Sequence, residues 1–152
     1  MLKIEIICVS KLRKGSFYDI AQDYQKRLQW TLTIREFDSA YKTQTQIQKD
    51  EEEKILSALN SRAVIIALDE RGKSFKSVDF AQRLEKYAQE GRNEIQFIIG
   101  GAYGLTDAIR QKAELLISFG EQTWPHLMVR TMLLEQIYRS QQILAGHPYH
   151  KE

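Results

Sequence analysis

Ala63-Val64-Ile65-Ile66-Ala67-Leu68 is an unbroken apolar run, followed at once by the polar stretch Asp69-Glu70-Arg71-Gly72-Lys73-Ser74. A strand with one wet face alternates apolar and polar residues; an unbroken run suits a strand buried on both faces, as in the centre of a parallel sheet. Ile95 to Ile99 reads the same way and ends on Gly100-Gly101. Between these two strands, Phe80, Leu84, Tyr87 and Ala88 fall on one side of a helix over Ser77–Gln89, with Gly91 as its stop. Outward from this pair the alternation continues. Strands are expected at Ile4–Val9, Thr31–Phe37 and Leu115–Phe119. Helices are expected over Phe17–Leu28, Thr45–Leu59, Leu105–Lys112 and Leu127–Ala145. Five strands alternating with five helices predict an α/β fold, a mostly parallel sheet with helices on both faces. No repeat or linker breaks the chain, so residues 1–152 are expected to form a single domain.

The chain has 152 residues, 43% of them hydrophobic and 28% charged, a soluble globular composition long enough for a core without disulfides. No apolar run approaches the roughly 20 residues that span a bilayer. The opening Met1-Leu2-Lys3-Ile4-Glu5 holds an acid within its apolar stretch, unlike a signal peptide. Cys8 is the single cysteine, and no Cys/His spacing suggests a metal site. The expectation is a cytoplasmic protein with neither a membrane nor a metal as partner. The formal net charge of +2 does not by itself imply a polyanion partner. The cluster Lys11, Arg13, Lys14 is either a basic patch or plain solvated surface.

Glycines gather after the later strands: Gly72, Gly100, Gly101, Gly104 and Gly120. Ligands of open α/β sheets bind beyond the carboxyl ends of strands, where glycine permits sharp turns and close approach. Known phosphate motifs fail. Ala67 stands where the first glycine of a P-loop would be, and Gly100-Gly101-Ala102-Tyr103-Gly104 is not a dinucleotide fingerprint. No serine or cysteine sits in a nucleophile elbow. What remains is a ligand pocket made by the loops 68–74, 100–104 and 119–125, with backbone polar groups and apolar walls.

The last helix carries apolar residues on more than one face, among them Leu127, Met128, Val129, Met132, Leu133, Leu134, Ile137 and Tyr138, which suggests burial by a second copy of the chain. Glu135 and Arg139 are four apart, either a plain helical ion pair or a functional charge at a subunit interface. The tail His147-Pro148-Tyr149-His150-Lys151-Glu152 is either a frayed end or a set of stacking and basic groups for RNA.

Taken together, Leu68-Asp69 with Gly72-Lys73, Phe97 to Leu105, Thr123-Trp124-Pro125-His126 with Val129-Arg130, Glu135 to Arg139, and the tail resemble the ribosomal RNA large-subunit methyltransferase H family of the SPOUT class, over the whole chain. Members often show Pro and Glu where this chain has Ala102 and Tyr103. The resemblance implies a C-terminal deep trefoil knot, which connection rules would not suggest, and a homodimer. It implies S-adenosyl-L-methionine as cofactor and methylation of N3 of a pseudouridine in large-subunit ribosomal RNA on the assembled ribosome. By position it implies cofactor contacts at Leu68, Gly100, Phe119, Gly120, Glu121, Gln122, Thr123 and Trp124. It puts His126 and Arg130 on the substrate side and Glu135, Arg139, Tyr149 and His150 at the catalytic centre. Arg139 would stabilise charge developing on the ring carbonyls, with Glu135 positioning it, while His150 or Tyr149 would orient the base or pass on its proton. Two alternatives stay open: a SPOUT methyltransferase acting on tRNA, and a non-catalytic RNA-binding or ribosome-assembly module on the same fold.

Overall fold

The structure, a computed structural model, describes residues 1–151; Glu152, the last residue of the tail motif, lies outside the described residues. The chain runs β1 (Lys3–Val9), α1 (Ser16–Arg27), β2 (Thr31–Phe37), α2 (Gln44–Ala58), β3 (Val64–Lys73), α3 (Ser77–Gln89), β4 (Glu94–Ile99), α4 (Asp107–Lys112), β5 (Leu115–Ile117) and α5 (His126–Leu144). The five strands form one sheet in the order β2-β1-β4-β3-β5, with every pairing parallel.

The register explains the unbroken apolar runs. Ile6, Phe97 and Ile66 align across β1, β4 and β3, and so do Cys8, Ile99 and Leu68; these rows face one core layer, which also takes in Leu133, Leu134 and Ile137 of α5. The alternate residues Ile7, Ile98 and Ala67 align on the opposite face and pack with Ile55 and Ile109. Both faces of the three central strands are therefore dry. The edge strand β2 alternates exposed Thr31, Thr33 and Arg35 with half-buried Leu32 and Ile34, as an edge strand should. Gln96 is the polar exception in β4. Its amide donates to Glu5 Oε1 at 2.6 Å and to the Ala58 carbonyl at 3.0 Å, and its oxygen accepts the Asn60 N–H at 2.8 Å, so its burial leaves nothing unpaired.

Three expectations need correction. The stretch after Leu68 is not a free loop: β3 runs on to Lys73, and Leu68 and Lys73 both pair with Ile117, so the chain between them bulges out of the ladder. Gly72 serves that bulge and not a ligand, because a Cβ there would lie 2.6 Å from the backbone of Leu116 and Ile117. β5 ends at Ile117, two residues earlier than the pattern suggests, since the chain turns where Ser118 Oγ donates to the Gly120 carbonyl at 2.7 Å.

The third correction concerns α5. Its most apolar residues, Leu133, Leu134 and Ile137, are each 0% exposed within the single chain, because α5 packs against both α1 and α3 on the sheet. They need no second copy to cover them. The half-buried residues Met128, Met132, Glu135, Arg139 and Ile143 recur at helical spacing on another side, and this stripe keeps surface that a second copy could cover.

Candidate active site at the carboxyl rim of the sheet

A cleft of about 670 Å³ opens beyond the carboxyl ends of β4, β3 and β5. Its walls include Leu68, Ile99, Gly100, Leu105, Ile117, Phe119, Gly120, Gln122, Thr123, Trp124, His126 and Val129. The three loops singled out in the sequence meet here. Of the eight residues expected at the cofactor, seven line the cleft; Glu121 is exposed and is not part of its wall. The loops are shaped by local backbone needs. Gly104, at φ +76°, closes a turn by donating its N–H to the Gly101 carbonyl at 3.0 Å. Gly120 has φ +106°, a region closed to branched side chains. A Cβ on Gly100 would point at Leu105 Cδ2, 2.8 Å away. Asp69, Glu70 and Arg110 also line the cleft. Asp69 is held there by Arg110 Nε at 2.8 Å and turns the chain by accepting the Arg71 N–H at 2.8 Å. Asp69 could have been read from its place beside Leu68; nothing in the sequence pointed to Arg110.

Cys8 takes no part in this chemistry. It is fully buried in β1, and burial pushes its thiol up to about 12, far from a reactive thiolate.

The first turns of α5 carry His126 and Arg130, both expected on the substrate side. His126 reaches the cleft wall and also lies 3.2 Å from Ser10 Oγ. Burial first, and the Arg130 charge second, lower its pKa, so it is neutral at pH 7. Arg130 is only 2% exposed. Its guanidinium donates to Glu36 Oε2 at 2.5 Å and to the Ser10 carbonyl at 2.6 Å, which makes it a strut between α5 and the ends of β1 and β2. No signal in the sequence paired Arg130 with Glu36 or Ser10.

Farther along α5 the tail folds back. Glu135 binds Arg139 through two parallel bonds, from Nε at 3.0 Å and from a terminal nitrogen at 2.9 Å. The other terminal nitrogen of Arg139 lies 3.0 Å from His150 Nδ1. The Tyr149 hydroxyl donates to Glu135 Oε2 at 2.9 Å, and its ring sits 4.8 Å from the guanidinium and edge-on to Tyr138 at 4.9 Å. The four residues expected at the catalytic centre are thus one interlocked cluster, and the tail as far as His150 is docked, not frayed. Arginine can only donate, so in this contact His150 Nδ1 is the acceptor. Burial, with the hydroxyl's hydrogen bonds to Tyr24 and Glu135, pushes the Tyr149 phenol well above its ordinary value and keeps it protonated. Of the five N–H groups of Arg139, three are engaged, and among the described residues one on each terminal nitrogen has no partner.

The cleft and the cluster share one helix but not one place. His126 and Arg139 are 13 positions apart on α5, about 20 Å at the usual rise of about 1.5 Å per residue.

The model of the family described as "Predicted SPOUT methyltransferase" matches residues 2–150. The chain belongs to this family. It is 42% identical over 151 residues to the ribosomal RNA large subunit methyltransferase H of Rhodospirillum centenum, and 40% identical over 151 residues to that of Paramagnetospirillum magneticum, in each case across 99% of both chains. Among solved structures it resembles a probable methylase family protein from Haemophilus influenzae, with a TM-score of 0.62 at 12% identity over 100% of this chain and 72% of the other. It also resembles a putative methyltransferase from Legionella pneumophila solved with bound cofactor SAM, with a TM-score of 0.50 at 11% identity over 92% of this chain and 66% of the other. These likenesses, at 11–12% identity, bear on the fold alone.

For a SPOUT methyltransferase the cleft has suitable chemistry. Leu68, Ile99, Leu105, Ile117 and Val129 offer apolar walls for a flat ring, and the turns at 100–104 and 118–124 bring backbone donors and acceptors to the same space. Its volume falls in the range of about 300–1,000 Å³ typical of small-molecule sites. Among the described residues, no group of three or more His, Cys, Asp or Glu could hold a metal ion, and no helix is long and apolar enough to cross a membrane.

Proposed function

We propose that this SPOUT methyltransferase is a cytoplasmic enzyme that uses S-adenosyl-L-methionine to methylate N3 of a pseudouridine in large-subunit ribosomal RNA within the assembled ribosome. The observation that carries the reading is the pairing of a glycine-turned cleft with a docked Glu135–Arg139–Tyr149–His150 cluster, in a chain whose relatives bear the name of a large-subunit ribosomal RNA methyltransferase. Leu68, Gly100, Phe119, Gly120, Gln122, Thr123 and Trp124 would hold the cofactor, with Glu121 at the rim. When bound, the cofactor supplies an electrophilic methyl group on a sulfonium centre.

The chain's own residues do the rest. Glu135 fixes the guanidinium plane of Arg139, so its two free N–H groups are aimed before the substrate arrives. They meet the ring carbonyls beside N3 and stabilise the negative charge that grows there as the N3 proton leaves. His150, its Nδ1 against Arg139, orients the base or relays that proton through solvent. Protonated Tyr149 is unsuited to take it and serves as the brace that holds the tail on Glu135. His126 and Arg130 shape the substrate side of the cleft, His126 as a neutral hydrogen-bonding group and Arg130 from beneath as a strut.

A separation of about 20 Å along α5 is too great for methyl transfer within one chain. The functional unit is therefore a homodimer in which the cleft of one copy faces the Arg139 cluster of the other, through the half-buried stripe of Met128, Met132 and Ile143. The family's trefoil knot fits the path: β5 is at the sheet edge, yet α5, which follows it, packs between α1 and α3, so the segment 118–125 passes the loops of β3 and β4 on its way.

Mixed dimers test this reading. Arg139→Ala copies keep the cleft; Gly120→Val copies keep the cluster but lose the turn at φ +106°. Each alone should fail to methylate ribosomes from a strain lacking the modification. Random mixing should restore about a quarter of wild-type activity, because half the dimers are mixed and each holds one intact composite site. No recovery on mixing, with dimers formed, would overturn the shared site. Cofactor binding without methylation of ribosomes, free subunits or tRNA by the wild type would favour a non-catalytic module, and labelling of tRNA alone the other substrate class.

A further inference from the structure

The loop after β1 has an anchoring that its sequence does not explain. Ser10 has φ +74°, the one non-glycine residue with positive φ among the described residues, a conformation that needs support from its surroundings. Support comes from β2, from Asp38 just after it, and from α5. The N–H of Ser10 donates to the Phe37 carbonyl at 2.6 Å, that of Lys11 to Asp38 Oδ1 at 3.2 Å, and that of Leu12 to Glu36 Oε2 at 2.7 Å. The Ser10 carbonyl accepts from Arg130, and its hydroxyl meets His126. Leu12 tucks into the core while Lys11, Arg13 and Lys14 stay exposed. None of these three cations is in an ion pair among the described residues.

A merely solvated charge run does not need successive backbone N–H groups fixed, nor a buried arginine under it. Burying Arg130 costs free energy that its bonds to Glu36 and Ser10 must offset, and Nε of Arg130 is left without a partner. What this device achieves is a rigid mount for three cations at the carboxyl end of β1. That end is beside β4, whose loop forms the cleft, and His126 touches both the cleft and Ser10. On the neighbouring loop after β2, Tyr41 is 53% exposed and Lys42 is exposed.

We infer that the Lys11–Lys14 loop is a phosphate-binding surface that grips the RNA backbone flanking the target base, held in register with the cleft by Ser10, Arg130 and His126. The inference rests on the proposed action on RNA. Phosphate contacts of this kind fix register and contribute affinity without reading sequence. A rigid mount suits them, because the strand must present its base to the cleft at a fixed offset.

The test compares wild type with the triple variant Lys11→Gln/Arg13→Gln/Lys14→Gln and with the charge-keeping Lys11→Arg/Lys14→Arg. One probe is a mixed-sequence single-stranded RNA of defined length, titrated at several salt concentrations; the other is the ribosome in a methylation assay. In the triple variant the slope of log affinity against log salt should flatten by about 2, at about 0.7 for each phosphate that is no longer neutralised. The KM for ribosomes should rise at least about tenfold, with kcat and cofactor affinity as in wild type, and the arginine variant should match wild type. An unchanged slope and KM in the triple variant, while wild type methylates ribosomes, overturns this inference alone. A raised KM with an unchanged RNA slope also overturns it and assigns the loop to a protein surface. A wild type that neither binds RNA in a salt-dependent way nor methylates ribosomes overturns it together with the function it rests on.

Discussion

The two ends of α5 are built on opposite principles. At its start, the cleft is made by backbone turns at strand ends: the positive φ of Gly104 and Gly120 and the close approach at Gly100 shape it, and few side chains are locked. Toward its end, the cluster is made of side chains alone: Glu135, Arg139 and Tyr149 each meet the other two, and His150 meets Arg139. A cleft that binds through main-chain groups tolerates changes of residue type as long as the turns survive. A cluster that works by aimed donors loses function with any single member. The contrast matches two tasks: holding a ligand that brings its own reactivity, and meeting charge that appears only as the reaction proceeds.

The sharpest way to break this comparison is Arg139→Ala. Single-turnover methylation should fall by about 100-fold or more, the typical loss when a preorganised donor to developing charge is removed, while calorimetry shows wild-type cofactor affinity. Arg139→Lys should recover little, since lysine cannot make the paired bonds to Glu135 and still present two donors. If cofactor affinity falls in step with the rate, the two ends are one site and the division is wrong.

Deleting Tyr149 to Glu152 should come next in effect. It strips His150 and the Tyr149 brace from Arg139 but leaves the Glu135 pair, so about 10- to 100-fold of the methylation rate should be lost, as expected for proton handling and stacking worth about 1–3 kcal/mol. Cofactor affinity should be unchanged. Normal turnover by the truncated chain would make the docked tail a packing feature only.

At the cleft end the expected sensitivity is to backbone space. Gly72→Ala adds a Cβ 2.6 Å from the backbone of β5, where nothing flexible can yield, and should lower stability by about 1–3 kcal/mol, as overpacking does. Because the bulge positions Asp69 and Glu70 on the cleft wall, cofactor affinity should weaken with it. Denaturant melts and calorimetry on one preparation check both; a stable variant with weak binding would mean that Gly72 meets the ligand directly.

The smallest effect is a pH dependence beneath the cleft. Glu51 of α2 is 8% exposed, with its carboxylate against Gly101. Burial first, and Asp50 second, raise its pKa above the ordinary 4.5, with Lys54 opposing. The folded chain therefore holds the Glu51 proton more tightly than the unfolded chain. The stability linked to it is full below pH 4.5 and is lost as pH rises through the raised value. Glu51→Gln should melt higher than wild type at pH 7, and the gap should close as pH falls below 4.5. A gap independent of pH would mean that packing, not the charge, separates the two.

Local pattern alone determined the ten elements of this chain, because burial on both faces writes unbroken apolar runs such as Ala63 to Leu68 and burial on one face writes helical periodicity. It also marked the glycine turns of the cleft, since the positive φ of Gly104 and Gly120 strongly favours glycine. Tertiary structure alone decided what depends on partners distant in sequence: the strand order, the return of Lys73 to the partner of Leu68, and the covering of α5 by α1 and α3 within one chain. Arg130 and Arg139 illustrate the division. They stand on one helix and read alike in sequence. Glu36 and Ser10, more than ninety residues away, make the first a buried strut, whereas Glu135 and the folded tail make the second an aimed donor. A side chain's type is local, but the field and the partners that give it a role come from whichever segments the fold brings beside it.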